Sequence, residues 1–163
     1  SWKNVEKAIK ELDKFNFLNK DAIKQLNEKE LGELIKSSGY YKQKAKKLKK
    51  FVEFLDSKKE ITRENLLNVW GIGKETADSI LLYAYNKPFF VIDAYTKRIM
   101  ERLGFKFNGY DALKRIFINN LDKDYKLYNE FHALLVKLGK EYCKKKPNCE
   151  NCCLRKNCEY IKT

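Results

Sequence analysis

Apolar residues recur at spacings of three and four along most of this 163-residue chain, the spacing that lines one face of an α-helix. These stripes predict helices over about residues 5–15, 31–38, 43–55, 62–70, 77–84, 94–103, 111–121 and 126–142. The apolar run 89–92 has the composition of a short strand, but no second convincing strand is present to pair with it. We therefore interpret that run as a buried extended segment and predict an all-α protein.

Composition narrows the class of protein. Hydrophobic residues make up 44% of the chain and aromatic residues 13%, which favours a globular protein of one or two small domains over a disordered one. The balance of 35 Lys and Arg against 22 Asp and Glu gives a net charge of +13. A polyanion such as nucleic acid is the favoured partner, although a Lys-rich proteome could supply part of this charge. No long apolar run and no signal-peptide pattern occurs, so we expect a cytoplasmic protein without a membrane segment.

Four cysteines near the C-terminus carry the first candidate chemistry. Cys143, Cys149, Cys152 and Cys158 have the spacing C-x5-C-x2-C-x5-C, in a segment with too few apolar residues to bury itself. Disulfides are disfavoured, because a secreted disulfide scaffold would spread its cysteines along the whole chain. Zinc and a 4Fe-4S cluster remain, and the compact spacing favours the cluster. Cys153 falls outside the pattern and is interpreted as a bystander thiol.

A glycine hairpin in the middle of the chain is the second signal. The segment 66–77, LLNVWGIGKETA, predicts two helices joined by a tight turn at Gly71 and Gly73. Free N–H groups at the start of the second helix favour a phosphate, which would let the hairpin hold one DNA strand. The candidate backbone contacts there are Gly71, Gly73, Lys74, Glu75 and Thr76; a weaker segment of the same kind contributes Lys42 and Lys44.

Together these motifs resemble the endonuclease III branch of the helix-hairpin-helix DNA glycosylases. The resemblance rests on the G-I-G-K-E-T-A hairpin, on V-I-D-A-Y-T-K-R over 91–98, on F-H-A-L over 131–134 and on the cysteine loop. It implies a helical body, a 4Fe-4S loop that helps to hold the DNA backbone and a cleft that receives a flipped base. The family pattern usually places six residues between the first two cysteines, whereas five lie between Cys143 and Cys149 here.

The resemblance also implies an organisation and a partner. Residues 1–122 would form the helical body, with the helix-hairpin-helix at about 66–86, and residues 123–163 the C-terminal helix and cluster loop. The expected partner is double-stranded DNA containing a damaged base, bound by a monomer. Because the chain opens at Ser1 where similar proteins already have a first helix, we expect an N-terminal helix to be missing.

Asp93 matches the catalytic aspartate of this family. A carboxylate at that place could stabilise the positive charge that develops on the sugar as the glycosidic bond breaks. Asp93 could equally cap the helix that starts at Ala94, and both roles are compatible. The family's bifunctional glycosylase/lyases place a Schiff-base lysine at the position of Glu75, and glutamate cannot form that adduct. Since Lys74 should face away from a pocket that accepts position 75, the resemblance predicts a monofunctional glycosylase.

The sequences of the hairpin and of residues 39–48 look most like those of the 3-methyladenine glycosylases of this branch. This similarity suggests an alkylated base as the substrate. Trp2, Trp70 and Glu75 are the candidate pocket residues, because aromatic rings can stack on a cationic base. His132 is interpreted as a structural histidine. Two alternatives stay open: a bifunctional lyase working through Lys74, and a non-catalytic DNA-binding iron-sulfur module.

Overall fold

The structure is a computed structural model that describes residues 2–161. Over that range every regular element is helical and no strand occurs, which confirms the all-α prediction. Ser1, Lys162 and Thr163, which belong to the two predicted domains, lie outside the described residues. None of the helices in this range has the length and apolarity that crossing a membrane would require.

The described part of the chain contains nine α-helices. They are α1 (Trp2–Lys14), α2 (Lys20–Gln25), α3 (Glu28–Leu34), α4 (Tyr41–Asp56), α5 (Arg63–Leu67), α6 (Lys74–Ser79), α7 (Ala94–Arg102), α8 (Gly109–Asn120) and α9 (Tyr125–Glu141). A π-helical turn, Ile80–Ala84, continues α6 directly, and 3-10 turns cover Lys36–Ser38, Arg155–Asn157 and Glu159–Ile161.

The predicted helices are confirmed, with one omission and one difference in length. The sequence analysis missed α2, whose six residues are too few to show a repeating stripe. A polar cap begins it instead, since Asn19 Oδ1 accepts the Ala22 N–H at 2.8 Å. The predicted helix over 62–70 ends early, at Leu67, and the chain then turns towards Gly71. The apolar run 89–92 forms no regular element, as predicted, and Phe90, Val91 and Ile92 are buried, whereas Phe89 is half-buried.

The chain divides into two compact units between Ile72 and Gly73. In the first unit, buried residues of α1 to α4 form one core, including Leu12, Leu31 and Val52. Local polar contacts set the ends of its helices. Lys49 in α4, for example, donates to the backbone carbonyls of Lys24 and Leu26 at 2.7 and 2.6 Å, which satisfies the C-terminal end of α2.

In the second unit, the core surrounds Phe90. Its ring stacks on Phe117 with the centroids 4.1 Å apart, and the rings of Tyr128 and Phe131 meet it edge-on. Burying a side chain of this size stabilises the fold by about 1.5–3 kcal/mol. The apolar run 89–92 is thereby anchored in the core, which fixes where the following residue, Asp93, must lie. The predicted division into residues 1–122 and 123–163 lies at a different place in the chain and stays a prediction.

Candidate active site

Asp93 ends the buried run 89–92 and begins α7. Its Oδ1 accepts the Thr96 N–H at 2.7 Å, so the predicted capping role is confirmed. Only 15% of its side chain is exposed, and the catalytic role stays a prediction. A single hydrogen bond to Oδ1 leaves Oδ2 to interact with other groups.

His132 in α9 is one of those groups. Its Nε2 lies 3.7 Å from Asp93 Oδ2, and its Nδ1 is hydrogen-bonded to the hydroxyl of Tyr83 in the π-helical turn. Burial lowers the pKa of His132 below its usual range, and the nearby Asp93 opposes that shift only in part. The pKa of Tyr83 is raised by burial and then by Asp93. His132 is therefore neutral near pH 7 and sits against the Asp93 carboxylate.

Asp93 opens onto a cavity of about 310 Å³, a volume at the lower end of the range for small-molecule sites. The cavity is lined by Glu75, Ile92, Asp93, Ala94, Lys97, Phe107, Gly109, Tyr110 and Leu113. Two carboxylates and one ammonium therefore face the same space, with aromatic and aliphatic side chains forming the rest of the wall. Such a cavity suits a flat ring that carries positive charge.

Glu75 supplies the second carboxylate from the first turn of α6. Burial raises the pKa of Glu75, and the negative charge of Asp93 raises it further. The two carboxylates are thus close enough to influence each other. Asp93 has a backbone N–H and an imidazole beside it, whereas Glu75 faces the cavity from an exposed helix end.

Lys74 points elsewhere. Its Nζ pairs with the carboxylate of Asp111 in α8, and Lys74 is not among the residues that line the cavity. The same region contains a buried ion pair, in which Lys114 Nζ donates to Asp78 Oδ2 at 2.7 Å and the hydroxyl of Tyr110 donates to the same oxygen at 2.8 Å. This network ties α6, which carries Glu75, to α8, which carries the aromatic wall.

The two glycines of the hairpin differ in what the fold demands of them. Gly71 has φ +86°, and a Cβ there would collide with the side chain of Lys47, so the turn itself requires glycine. Gly73 has φ −93°, and a Cβ there would meet no atom within 4 Å. Gly73 begins α6 without any side-chain cap. Neither backbone strain nor packing explains a glycine at 73, which leaves room for close approach by a partner.

Two arginines of α7 hold the start of the cysteine loop. The Arg98 Nε–H donates to the Cys143 carbonyl at 2.8 Å, and Arg102 Nη1 donates to Cys143 Sγ at 3.2 Å. At the far end of the loop, Cys158 Sγ donates to the Arg102 carbonyl at 3.3 Å. The first and last cysteines of the motif therefore meet at one residue of α7.

The chemistry of the four thiols fits a metal cluster. All four are partly buried, whereas Cys153 is exposed. Burial is the main cause that raises the pKa of Cys152, and the thiols of Cys153, Cys143 and Cys149 add to it, so these groups lie within electrostatic range. A bound metal would reverse this penalty by stabilising the thiolates. No group of three or more His, Cys, Asp or Glu side chains between residues 2 and 161 meets the geometry of a metal-ion site.

Comparison with known proteins decides the family. The profile described as "HhH-GPD superfamily base excision DNA repair protein" matches residues 1–123. The chain belongs to this superfamily. A Methanocaldococcus jannaschii protein with the provisional name DNA repair glycosylase is 44% identical over 97% of this chain and 79% of its own length. Endonuclease III of Thermotoga maritima is 30% identical over 98% of this chain and 76% of its own length.

Solved structures agree with the HhH-GPD assignment. The H. pylori 3-methyladenine DNA glycosylase bound to 1,N6-ethenoadenine superposes with a TM-score of 0.77 at 28% identity, covering 86% of this chain and 78% of that one. The protein in a non-covalent endonuclease III–DNA complex superposes with a TM-score of 0.84 at 24% identity, covering 96% of this chain and 75% of that one. At this level of identity the similarity supports the fold alone. This chain is a DNA glycosylase of the base excision repair pathway, as the resemblance predicted.

The remaining predicted site residues of this HhH-GPD glycosylase lie in the first unit. Trp2 in α1 and Trp70 after α5 are 63% and 52% exposed, so neither is core. Lys46 Nζ lies 4.7 Å from the Trp70 ring centroid, within cation–π range. Lys42 is exposed, and Lys44 donates to the Ser38 carbonyl at 2.6 Å. Their roles in base stacking and backbone contact stay predictions.

Apart from Glu75 and Asp93, the cavity wall consists of residues that were not predicted from the sequence, among them Lys97, Phe107 and Tyr110. Phe107 and Tyr110 flank the turn at Gly109, and Lys97 lies one helical turn after Asp93. The spacing of Lys97 could have been noticed, because residues i and i+4 share one helix face. No local signal marks Phe107 or Tyr110, since only the packing of α8 and of the turn before it brings them to the cavity beside Asp93.

Proposed function

We propose that this glycosylase is monofunctional and releases alkylated purines from double-stranded DNA, with Asp93 as the catalytic carboxylate. The observation that carries the proposal is that Asp93 and Glu75 line the same cavity, together with aromatic side chains. Glu75 occupies the position where a lyase of this family would need a lysine. A purine alkylated at N3 or N7 is cationic, so two carboxylates and the rings of Phe107 and Tyr110 favour it over a neutral base.

In this mechanism Asp93 remains ionised while the flipped nucleotide lies in the cavity. As the bond between C1′ and the base breaks, positive charge develops on the sugar, and the carboxylate stabilises it. Water then adds to C1′ and gives up a proton, leaving a free base and an abasic site. Glu75 lies where it can contact the base, and it cannot form an imine with the sugar.

The DNA backbone is proposed to lie against the hairpin. The uncapped start of α6 offers the N–H groups of Gly73, Lys74 and Glu75, and the empty space at Gly73 permits close approach. Thr76 follows in the same turn, and Lys42 and Lys44 are proposed as a second contact. The net charge of +13 supports binding to the phosphate backbone.

Cys143, Cys149, Cys152 and Cys158 are proposed to bind a 4Fe-4S cluster. Supporting this are the motif spacing, the electrostatic influence of Cys143 and Cys149 on Cys152, and the endonuclease III relatives. When bound, the cluster would cross-link the loop and supply no bond-making step. Arg98 and Arg102 would hold the loop to α7 whether the cluster is structural or redox-active.

The experiment is a single-turnover assay on duplexes that each carry one modified base: 7-methylguanine, 1,N6-ethenoadenine, uracil or an oxidised pyrimidine. We expect release of the cationic 7-methylguanine in preference to the neutral bases, with strand cleavage only after alkali. Asp93→Asn should lower the rate at least about hundredfold while leaving binding to an abasic-analogue duplex intact. Full activity of Asp93→Asn would contradict the proposal, and tight binding without release of any base would favour the non-catalytic alternative.

One observation favours a lyase as the second candidate. Lys97 lines the cavity with Asp93, and its Nζ is only loosely paired with Glu101 Oε1 at 3.9 Å. Borohydride trapping on an abasic duplex decides between the candidates, because it captures a lysine–sugar imine. We expect no trapping by the natural chain and a gain of trapping in Glu75→Lys. Trapping that disappears in Lys97→Ala or Lys74→Ala would identify a lyase and the amine it uses.

A further inference from the structure

His132 faces Asp93 with a ring nitrogen that makes no hydrogen bond in the described part of the chain. His132 has an exposed fraction of 8%, and its Nε2 is fully buried with no hydrogen-bond partner in the described part of the chain. The group facing that nitrogen is Asp93 Oδ2, at 3.7 Å. A buried polar atom without a partner is costly, so a histidine held in this orientation requires an explanation.

The tautomer of His132 follows from its two neighbours. A neutral imidazole carries one N–H, and burial keeps His132 neutral. If Nδ1 carried the proton, the lone pair of Nε2 would face the Asp93 carboxylate, and two buried acceptors would repel each other. If the Tyr83 hydroxyl instead donates to Nδ1, the proton lies on Nε2 and faces the carboxylate. The second arrangement satisfies Tyr83, His132 and Asp93 together.

We propose that Tyr83 and His132 are positioning residues, with Tyr83 fixing the tautomer that directs the His132 Nε2–H at the Asp93 carboxylate. This inference rests on the proposed role of Asp93 and deepens it. The Thr96 N–H already holds Oδ1, so a donor at Oδ2 would hold the carboxylate at both ends. The distance of 3.7 Å exceeds that of a normal hydrogen bond, and such contacts shorten in complexes with substrate.

The other ionisable groups near Asp93 determine what a pH experiment would report. The cavity and the helices packed against Asp93 present Glu75 from α6, Tyr83 from the π-helical turn, Lys97 from α7, Tyr110 from α8 and His132 from α9. Glu75 and Lys97 line the same cavity as Asp93 and carry charges of opposite sign. A neutral His132 adds no net charge, so its effect comes from the N–H alone and disappears when that donor is removed.

The test is the pH dependence of single-turnover base release by the full chain. Loss of one hydrogen bond to a charged group weakens its ionised form by about tenfold, so His132→Phe should move the acid limb of the profile up by about one pH unit. Tyr83→Phe should move it in the same direction by less. The double variant should match His132→Phe, because the two residues act in series. His132→Gln, which can still donate near the Nε2 position, should restore most of the natural profile.

A matched control variant and the Asp93→Asn variant distinguish failure of this inference from failure of the proposed function. Tyr85→Phe removes a hydroxyl of similar exposure nearby in the sequence and should leave the profile unchanged. If His132→Phe does not fold, Tyr83→Phe carries the test, because Tyr83 is 46% exposed. An unchanged acid limb in these variants, with Asp93→Asn inactive, overturns this inference and leaves the proposed function standing. An active Asp93→Asn overturns both.

Discussion

The buried ion pair between Lys114 and Asp78 allows a stability prediction to be worked out from the structure. Asp78 has no exposed surface, the Lys114 side chain is 11% exposed, and Nζ lies 2.7 Å from Oδ2. Replacing Lys114 with methionine keeps most of the side-chain volume and removes the charge. The Asp78 carboxylate then stays buried and keeps the hydrogen bond from the Tyr110 hydroxyl.

Breaking a buried pair by removing one partner costs about 3–5 kcal/mol, because the buried charge that remains loses its ion-pair partner. That is a large share of a typical stability of about 5–15 kcal/mol. Replacing both members costs much less, since neither charge then needs a partner. We therefore expect Lys114→Met to destabilise the protein by about 3–5 kcal/mol, and the double variant with Asp78→Asn to recover at least half of that loss.

Urea unfolding followed by circular dichroism at pH 7 measures both values. Arg115→Met is the matched control, because Arg115 is the next residue of α8 and is exposed; it should change stability by less than about 0.5 kcal/mol. The reasoning is refuted if Lys114→Met costs no more than Arg115→Met, or if the double variant is less stable than Lys114→Met alone.

Four further predictions follow from single features. Gly73→Ala should keep the melting temperature, since a Cβ there meets nothing, yet weaken duplex binding measured by fluorescence anisotropy; unchanged binding would remove the close-approach argument. Gly139→Ala should cost about 1 kcal/mol net in thermal unfolding, because overpacking against Tyr95 outweighs the gain in helix propensity. Cys143→Ser should abolish brown colour and bound iron, whereas Cys153→Ser should retain both. Burial lowers the pKa of His132 from 6.5, so stability should fall as the pH drops below 6.5, where only the unfolded chain gains the proton; the pH dependence of urea unfolding should flatten in His132→Gln.

Much of the fold was predictable because it depends on sequence patterns within single helices and turns. Apolar residues at spacings of three and four located eight helices, and the run 89–92 was correctly interpreted as a largely buried segment outside the helices. Asp93 and its capping role followed from its place between that run and α7. The short helix α2 escaped, because a polar cap at Asn19 rather than a periodic stripe defines it. The predicted base pocket included Trp2 and Trp70, for which the sequence offered only aromatic character.

The sequence by itself determined the helical class, the glycine turn, the cysteine spacing and the position of Asp93, since each depends on residues close together along the chain. Only the tertiary structure decided what surrounds Asp93. Phe107, just before α8, and Tyr110, at its start, reach the cavity through the packing of this part of the chain, and α9 brings His132 to Asp93. Periodicity sets which face of a helix is buried, but the neighbour that a buried side chain meets depends on how distant helices pack. For that reason His132, which in the sequence is one histidine on an apolar helix, could be assigned to Asp93 only from the structure.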